Sequence, residues 1–396
     1  MSRFSMNRSL AWLWTGRLVS QAGDRFYAIA LAWWILQETR SGLAMGAFLA
    51  SSSLPGILAG PLLGPLLDRA RPRRTLIGAD LARGLIVGLV AYRSWTGRLD
   101  LGLVCAAAAL LSLASAVFDP LSQAVLPRMV AAEDVPEANA RLQAGSGLCM
   151  VLGPALGAGC LAVLGFTGTF LLNAVSFVLC AACVARIELR PRGEAPAQAP
   201  YLSELGAGLA FVWNSGTLRA VIATVGVAHF FTGALMLALP FLASSLPGGV
   251  KALGAMEMSV GLGFVLGSFL RLGREDAGTR AAGLFGFLAA AGGCMILLGL
   301  LQRRAPVPAF LVLLALYGFA VVQASIRWQT LLQLSSPEHM AGRVFSLSSL
   351  AGNIAMPLAY GCVGAVLTPA NLPGILLACG GCLAATGWLG AGRRSC

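Results

Sequence analysis

The chain alternates between long apolar runs and short polar connections. Twelve of the runs reach the length of about 20 residues that an α-helix needs to cross the hydrocarbon layer of a bilayer. The predicted spans are 10–37, 42–67, 75–95, 100–125, 138–164, 166–186, 217–245, 251–272, 281–301, 307–332, 343–367 and 372–391. The pattern predicts an all-α integral membrane protein with twelve transmembrane helices.

One connection is much longer than the others. Between residues 188 and 216 the chain contains LRPRGEAPAQAP, a polar and proline-rich stretch that is typical of a linker. This linker divides the chain into a predicted six-helix bundle over 1–187 and a second bundle over 217–396. Residues 201–215 are predicted to form a short amphipathic surface helix before the seventh span.

The two predicted bundles resemble each other in sequence. A shift of 203 residues places GPALGAGCLAVL on MPLAYGCVGAVL, so that Pro154 falls on Pro357. The same shift brings Gly60 and Gly64 onto Gly263 and Gly267. Because the shift is close to half the chain length, it indicates two pseudo-symmetric repeats of six helices.

Composition agrees with a chain that is solvated by lipid. Hydrophobic residues make up 57% of the chain and charged residues only 11%, whereas soluble domains carry about 25% charged residues. The net charge of +12 is spread over short arginine clusters between apolar runs. No contiguous basic face is formed, so nucleic-acid binding is not expected.

The sequence offers little for metal or cofactor chemistry. Nearly all of the ten cysteines lie inside apolar runs, where they are expected to act as small packing residues. The chain lacks a Walker motif, a His-Glu-x-x-His pair and a Gly-x-Ser-x-Gly elbow. We therefore predict no metal, no cofactor and no enzymatic activity.

Arginine in the loops predicts the orientation. Basic residues concentrate in the loops that follow even-numbered spans, in the linker and at both chain ends, and they are fewer in the opposite loops. The concentrated set is Arg3, Arg8, Arg69, Arg71, Arg73, Arg74, Arg128, Arg141, Arg186, Arg190, Arg192, Arg271, Arg274, Arg280, Arg393 and Arg394. Both termini and the linker are therefore predicted to face the cytoplasm. The N-terminal segment is interpreted as an uncleaved first helix, because Asp24 and Arg25 interrupt its apolar run.

A dense charged motif follows the second span. GPLLDRARPRRTL contains Gly64, Asp68, Arg69, Arg73 and Leu76 in the spacing of the loop between spans two and three of the major facilitator superfamily. The motif departs from the family pattern at Arg71, where glycine is usual, and at Pro72, where a basic residue is usual. Twelve helices, two repeats and a central linker complete the resemblance, which implies the major facilitator fold.

Other stretches resemble one branch of that family. NRSLAWLWTGRLVSQAGDRFYAIALAWWILQETRSGLAMG, ASAVFDPLSQAVLPRMVAAEDVPEANARLQ and PEHMAGRVFSL are similar to the macrolide-efflux-like drug:proton antiporters. The resemblance implies a gating role for Gly64, Asp68, Arg69 and Arg73. It places Asp68 opposite the start of span eleven, where a helix N-terminus favours a carboxylate. The alternative is that this loop only sets the topology.

Charged residues inside the spans are the candidates for function, since each is costly in the bilayer. Asp24 is expected to line a cavity and bind a proton or cation, or else to form a structural ion pair. Asp80 and Arg83 are three residues apart on one helix and are predicted to form a local ion pair. Asp119, just before Pro120, is expected either to bind substrate or to bond backbone groups that the proline frees.

Two candidates lie in the second half of the chain. Glu257 is the only acid of span eight and is predicted to carry a proton or recognise a cation, because burial favours proton uptake by a carboxyl group. The alternative is a structural carboxylate. Arg327 is a candidate for substrate contact, unless it pairs with an acid or reaches the cytoplasmic surface.

These observations predict a secondary transporter of the bacterial inner membrane. The expected activity is proton-coupled export of amphipathic small molecules, such as macrolide-like drugs, by a monomer in the lipid bilayer. The alternatives are a dedicated exporter or importer of a siderophore or other metabolite and, more distantly, a polytopic membrane enzyme or a transporter-like receptor without flux.

Overall fold

The computed structural model describes residues 7–190, 201–270, 277–302 and 306–392, and no strand occurs in these ranges. The helices are α1 (Arg8–Thr39), α2 (Gly42–Ser51), α3 (Leu54–Arg69), α4 (Pro72–Trp95), α5 (Leu101–Ala124), α6 (Val135–Val184), α7 (Tyr201–Asn214), α8 (Gly216–Ser244), α9 (Val250–Phe269), α10 (Ala277–Leu301), α11 (Val307–Ser335), α12 (Glu338–Val366) and α13 (Leu372–Gly392). The all-α fold class is as predicted.

Local signals explain several helix ends. Asp100 caps α5 by accepting a hydrogen bond from the Leu103 amide at 3.0 Å, and Ser215 caps α8 by accepting one from Leu218 at 3.3 Å. Pro72 occupies the first position of α4, where its missing N–H costs nothing. The sequence therefore carries its own start signals for these helices.

Two of the helices do not coincide with single spans. The second span is broken at residues 52 and 53, which divide it into α2 and α3. Conversely, α6 has 50 residues, or about 75 Å at 1.5 Å per residue, which is more than twice the hydrocarbon thickness. Gly165 interrupts it with φ 65° and ψ −175°, a conformation that glycine adopts without strain. α6 thus supplies the predicted fifth and sixth spans, with the chain turning at Gly165.

Ten segments of the described residues are long and apolar enough to cross a membrane. α6 counts once among them although it contains two predicted spans. α1 is absent from the ten because Arg17, Asp24 and Arg25 add charges to its apolar sequence. With α1 and both parts of α6 included, the helices match the twelve predicted spans, and α7 matches the predicted surface helix.

Large apolar side chains point outward along the helices. Leu85 is 77% exposed, Val163 83%, Phe269 80% and Trp388 77%. A soluble protein rarely leaves so many large apolar side chains in water. These side chains are suited to contact with lipid tails.

The chain divides into two compact units, Met1–Glu38 with Phe48–Ala197 and Thr39–Ala47 with Gln198–Cys396. In the first unit α4 packs against α5 and α6, and α3 packs against α5. Its core is built around Leu10, Leu13, Phe118, Leu121, Cys180 and Val184.

The second unit is built by close helix approach. α10 packs against α13, α9 against α11, and α8 against α12. Gly263 and Gly267 of α9 lie directly against the backbone of Ala315 and Phe319 on α11. Such contacts are possible only where no side chain separates the two helices.

The segment Thr39–Ala47 belongs to the second unit because its glycines pack on α12. Gly42 lies against Leu367 and Gly364, and Gly46 lies against the carbonyl of Tyr360. A Cβ atom at either glycine would collide with α12 or the residue that ends it, so the contact depends on these small residues.

Candidate proton and substrate site

Asp24 lies on α1 beside two polar residues of α6. Asn173 donates its Nδ2–H to Asp24 Oδ1 at 3.5 Å, and the Ser176 hydroxyl donates to Asn173 Oδ1 at 3.0 Å. Asn173 and Ser176 are buried, while Asp24 is half-buried. Gly23 makes this possible, because a Cβ at that position would collide with both α6 side chains.

Asp80 and Arg83 form an ion pair inside the first unit. Arg83 Nη2 donates to Asp80 Oδ1, and the side chains of Arg83 and Asp80 are 4% and 0% exposed. The guanidinium carbon of Arg83 is 4.1 Å from the ring centre of Phe118 and 4.7 Å from that of Phe177. Two aromatic faces and one carboxylate therefore hold the buried cation.

The ion pair is incompletely satisfied. Arg83 Nε has no hydrogen-bond partner in the described part of the chain, and the Asp80 carboxyl group has the weakly donating thiol of Cys180 beside it. A buried polar atom without a partner is uncommon and calls for an explanation, such as a role in function or a bound water or ion. The Nε–H of Arg83 is therefore available to a further acceptor.

Asp119 is the third carboxyl group of this region and is exposed on the surface of α5. Its backbone carbonyl accepts a hydrogen bond from the Ser122 hydroxyl at 2.8 Å. Ser122 in turn accepts a hydrogen bond from Arg17 Nη1 at 3.0 Å. Arg17 of α1 is thus tied to α5 next to Asp119.

Arg83 is shared by the three carboxyl groups. It pairs with Asp80 and contacts Phe118, the residue before Asp119. It also contacts Phe177, one turn after Asn173, which donates to Asp24. Its charge therefore lies near Asp24 and Asp119 as well, and Arg17 lies beside Asp119. Arg25 follows Asp24 in the chain but is exposed, lies over Gly153 and exerts the weakest of these influences on Asp24. We call Asp24, Asp80, Arg83 and Asp119 the carboxylate cluster.

Sequence reasoning selected the members of the carboxylate cluster but not the residues that connect them. Asn173, Ser176, Arg17 and Ser122 were not identified as candidates. Asn173 carried a usable signal, because an amide in the middle of an apolar span must find a polar partner.

In the second unit, Glu257 and Arg327 are not brought together. Glu257 is half-buried about two turns into α9. Gln323 of α11 lies at the other end of α9, where its Nε2 donates to the carbonyls of Gly267 at 2.8 Å and Leu270 at 3.1 Å. Gly267 lies ten positions after Glu257 on α9, or about 15 Å along the helix.

Arg327 is buried, with 5% of its surface exposed. Its Nη1 donates to the carbonyl of Gln323 at 3.1 Å and to Gln323 Oε1 at 2.7 Å. The guanidinium carbon is 4.6 Å from the ring centre of Phe287. Through Gln323, Arg327 supports the contact that fixes the end of α9.

The predicted gating residues are described only in part. Gly64, Asp68 and Arg69 lie in the second half of α3. The side chains of Asp68 and Arg69 are outside the described part of the structure, as are residues 271–276 of the basic loop. Arg73 Nη2 donates to the carbonyl of Ala185, the C-cap residue that follows α6. A helix C-terminus favours a cation, so Arg73 anchors its loop to α6.

Comparison with known proteins defines the class. The profile of the Major Facilitator Superfamily matches residues 13–360. The chain belongs to this superfamily and is a multi-pass membrane protein of a family of transporters, as the resemblance of its sequence motifs predicted.

Its relatives include drug exporters. The chain is 26% identical over 375 residues to the multidrug efflux pump Tap of Mycolicibacterium fortuitum, a match that covers 91% of this chain and 90% of that protein. It is 23% identical over 354 residues to macrolide efflux protein A of Streptococcus pyogenes, with coverage of 87% and 86% respectively. The resemblance to the macrolide-efflux branch is confirmed by these relatives.

Solved structures share the fold. A bacterial homologue of the iron transporter ferroportin, in an inward-facing state, has a TM-score of 0.77 at 17% identity, and the match covers 98% of this chain and 100% of that chain. The nucleoside transporter NupG has a TM-score of 0.77 at 11% identity with the same coverage. At these identities the likeness shows the fold alone.

Proposed function

We propose that this protein exports amphipathic small molecules across the bacterial inner membrane in exchange for protons, by alternating access of its two six-helix repeats. The observation that carries the proposal is the carboxylate cluster. Three carboxyl groups share Arg83, with Arg17 added beside Asp119. When all three are ionised, Arg83 and Arg17 leave one negative charge that, among the described residues, only the exposed and weakly acting Arg25 offsets, and we infer that a proton or a cationic substrate supplies the missing charge.

The carboxyl groups of the cluster differ in how far they are exposed at the protein surface, and such a range suits a site that exchanges protons. Asp80 is buried with Arg83, Asp24 is half-buried, and Asp119 is exposed. We assign Asp80 to holding Arg83, and Asp24 and Asp119 to binding the proton. Because an unbalanced charge in a low-dielectric interior is costly, proton and cationic substrate compete for this site. That competition is the basis of antiport.

The proposed substrates are cationic and amphipathic, of the drug-like class that the names of the relatives indicate. Glu257 remains a second proposed proton or cation site, in the second unit. Arg327 is assigned a supporting role, because its Nη1 holds Gln323, the residue that binds the end of α9.

The arginines of the first unit support cytoplasmic placement of the termini and the linker. Arg128 donates to the carbonyl of Arg190 at 2.7 Å through Nη2, and Arg186 lies over the ring of Trp12 at 4.6 Å. Together with Arg73 they gather at the end of the unit that holds the start of α1 and the end of α6. This gathering follows the positive-inside rule.

The test is compound-induced proton movement in everted membrane vesicles. The variants are Asp24→Asn, Asp119→Asn and Glu257→Gln, beside the wild type. A panel of macrolides, cationic dyes and catecholate siderophores is added in turn. We expect at least one cationic compound to collapse the proton gradient with the wild type, and a response about tenfold weaker with Asp24→Asn.

Glu137→Gln is the matched control. Glu137 is an acid of the same unit, but it lies at the surface, where Arg141 Nε is 3.2 Å from its Oε1. This variant should keep the wild-type response. Proton movement that is unchanged in Asp24→Asn and Asp119→Asn would refute the role of the cluster. A response to a siderophore alone would replace drug export by transport of a dedicated metabolite.

A further inference from the structure

The second unit contains an apolar groove that the proposed transport site does not use. It lies between the surface helix α7 and the transmembrane helices α8 and α12, and its volume is about 330 Å³. Its walls include Leu209, Val212, Ile222, Leu350, Ile354 and Leu358. All of the lining side chains are aliphatic, so the groove offers dispersion contacts and no side-chain hydrogen bonds to an occupant.

The groove is open to the surroundings of the protein. Leu209 is 53% exposed, Ile354 37% and Leu358 56%. In a membrane protein such an opening is filled by whatever apolar molecule is most abundant beside it. The hydrocarbon chains of lipids meet that condition, and an aliphatic groove matches them in chemistry.

A cation and an aromatic ring stand next to the groove. Arg219 lies one turn before Ile222 on the same side of α8, and its guanidinium carbon is 5.8 Å from the ring centre of Trp213. Trp213 directly follows Val212 of the groove wall and is 66% exposed. Arginine and tryptophan in this arrangement are typical of the boundary between lipid tails and headgroups.

The charge and position of Arg219 favour binding of an anion. The residue is exposed, and the ion pairs of the described residues do not include it. It also stands in the first turn of α8, where the helix dipole disfavours a cation and favours an anion. A phosphate group beside Arg219 would therefore be stabilised by both the side chain and the helix.

We propose that the groove binds an acyl chain of an anionic phospholipid whose phosphate contacts Arg219. The aliphatic walls take the chain, and Arg219 with Trp213 takes the headgroup. The lipid would hold α7 against α8 and α12, and thus fix the end of the linker to the second unit. This proposal does not depend on the direction or coupling of transport.

The test is lipid retention by the full-length protein. The wild type is reconstituted in bilayers of phosphatidylcholine with a minor share of phosphatidylglycerol, extracted in mild detergent and examined by native mass spectrometry. We expect enrichment of one phosphatidylglycerol over its share in the bilayer. Arg219→Gln should reduce this enrichment about fivefold, the effect of one basic residue near an anionic lipid.

The control is Arg98→Gln, which removes the same charge from an exposed position of the first unit. It should leave the enrichment unchanged. Ile354→Trp fills the groove and keeps Arg219, so it should also displace the lipid. A photoreactive acyl chain should label α7 or α12 in the wild type and lose this labelling in Ile354→Trp.

Three results would overturn the proposal. The first is equal retention of both lipids by the wild type, and the second is an equal loss of phosphatidylglycerol enrichment in Arg98→Gln and Arg219→Gln. The third is photolabelling confined to helices other than α7 and α12. A transported compound can also be added as a competitor of the lipid. If it displaces the lipid equally from the wild type and from Arg219→Gln, the groove is a substrate site instead. The experiment measures bound lipid and not transport, so it remains valid even if the protein does not transport the compounds proposed above.

Discussion

The two units bury an arginine in different surroundings. In the first unit Arg83 pairs with Asp80, lies near two aromatic rings and acts on two further carboxyl groups. In the second unit Arg327 donates to Gln323 and lies over the ring of Phe287. The first arginine pairs with one carboxyl group and lies near two others, which we propose as the proton site, whereas the second supports an amide that holds the end of α9. The same residue type thus belongs to the proposed proton site in one unit and supports helix packing in the other.

The largest effect is expected from breaking the buried ion pair. Arg83→Met leaves Asp80 buried without its cation, which should lower the free energy of unfolding by about 3–5 kcal/mol. The measurement is thermal unfolding of the purified protein in detergent. The double variant Asp80→Leu with Arg83→Met should recover much of the stability, because it removes both buried charges. Proton-coupled transport by the double variant should still be lost, which would separate stability from function. If Arg83→Met alone is as stable as the wild type, the ion pair does not stabilise the fold.

The second unit should respond to steric change instead. Gly263→Leu places a side chain where α9 contacts the backbone of Ala315. The helices must separate, and we expect a loss of about 1–3 kcal/mol in the free energy of unfolding. Gly286→Leu is the control, since apart from the adjoining backbone of α10 no heavy atom of the described residues lies within 4 Å of the position that a Cβ would take at Gly286. Equal destabilisation by both substitutions would show that the close contact is unimportant.

A smaller effect is expected from the amide that supports Asp24. Asn173→Ala removes the donor to the carboxylate and leaves the ion pair of Arg83 intact. The loss of one hydrogen bond to a charged group corresponds to about 1.5–3 kcal/mol at most, and less at the 3.5 Å observed here. We expect transport to fall several-fold and its dependence on pH to change, with expression near normal. A wild-type pH profile would argue that Asn173 is only a packing residue.

The smallest effect is expected at the surface of the first unit. Glu137 and Arg141 form an exposed pair four residues apart on α6. Glu137→Gln should change the free energy of unfolding by less than about 0.5 kcal/mol, because water and salt screen such pairs. The measurement is the same thermal unfolding experiment at low and high salt. A larger change would mean that charge at the surface, and not only inside the unit, controls stability.

Much of the fold could be predicted from the sequence because lipid imposes a simple rule on it. A helix must be about 20 residues long and apolar, and its ends are marked by residues such as Asp100, Ser215 and Pro72. Most of the predicted spans therefore agree with the helices to within a few residues. The rule does not say where a helix breaks, so the division at residues 52 and 53 and the merging of two spans across Gly165 are visible only in the structure.

The candidate site divides in the same way. The sequence by itself identified Asp24, Asp80, Arg83 and Asp119, because charges in apolar helices are conspicuous and costly. Only the tertiary structure decided their partners. Asn173 reaches Asp24 across 149 positions of the chain, and Arg17 reaches Ser122 across 105. Such pairings depend on how helices pack, and packing is set by the fit of residues such as Gly23, which no local pattern along the chain encodes.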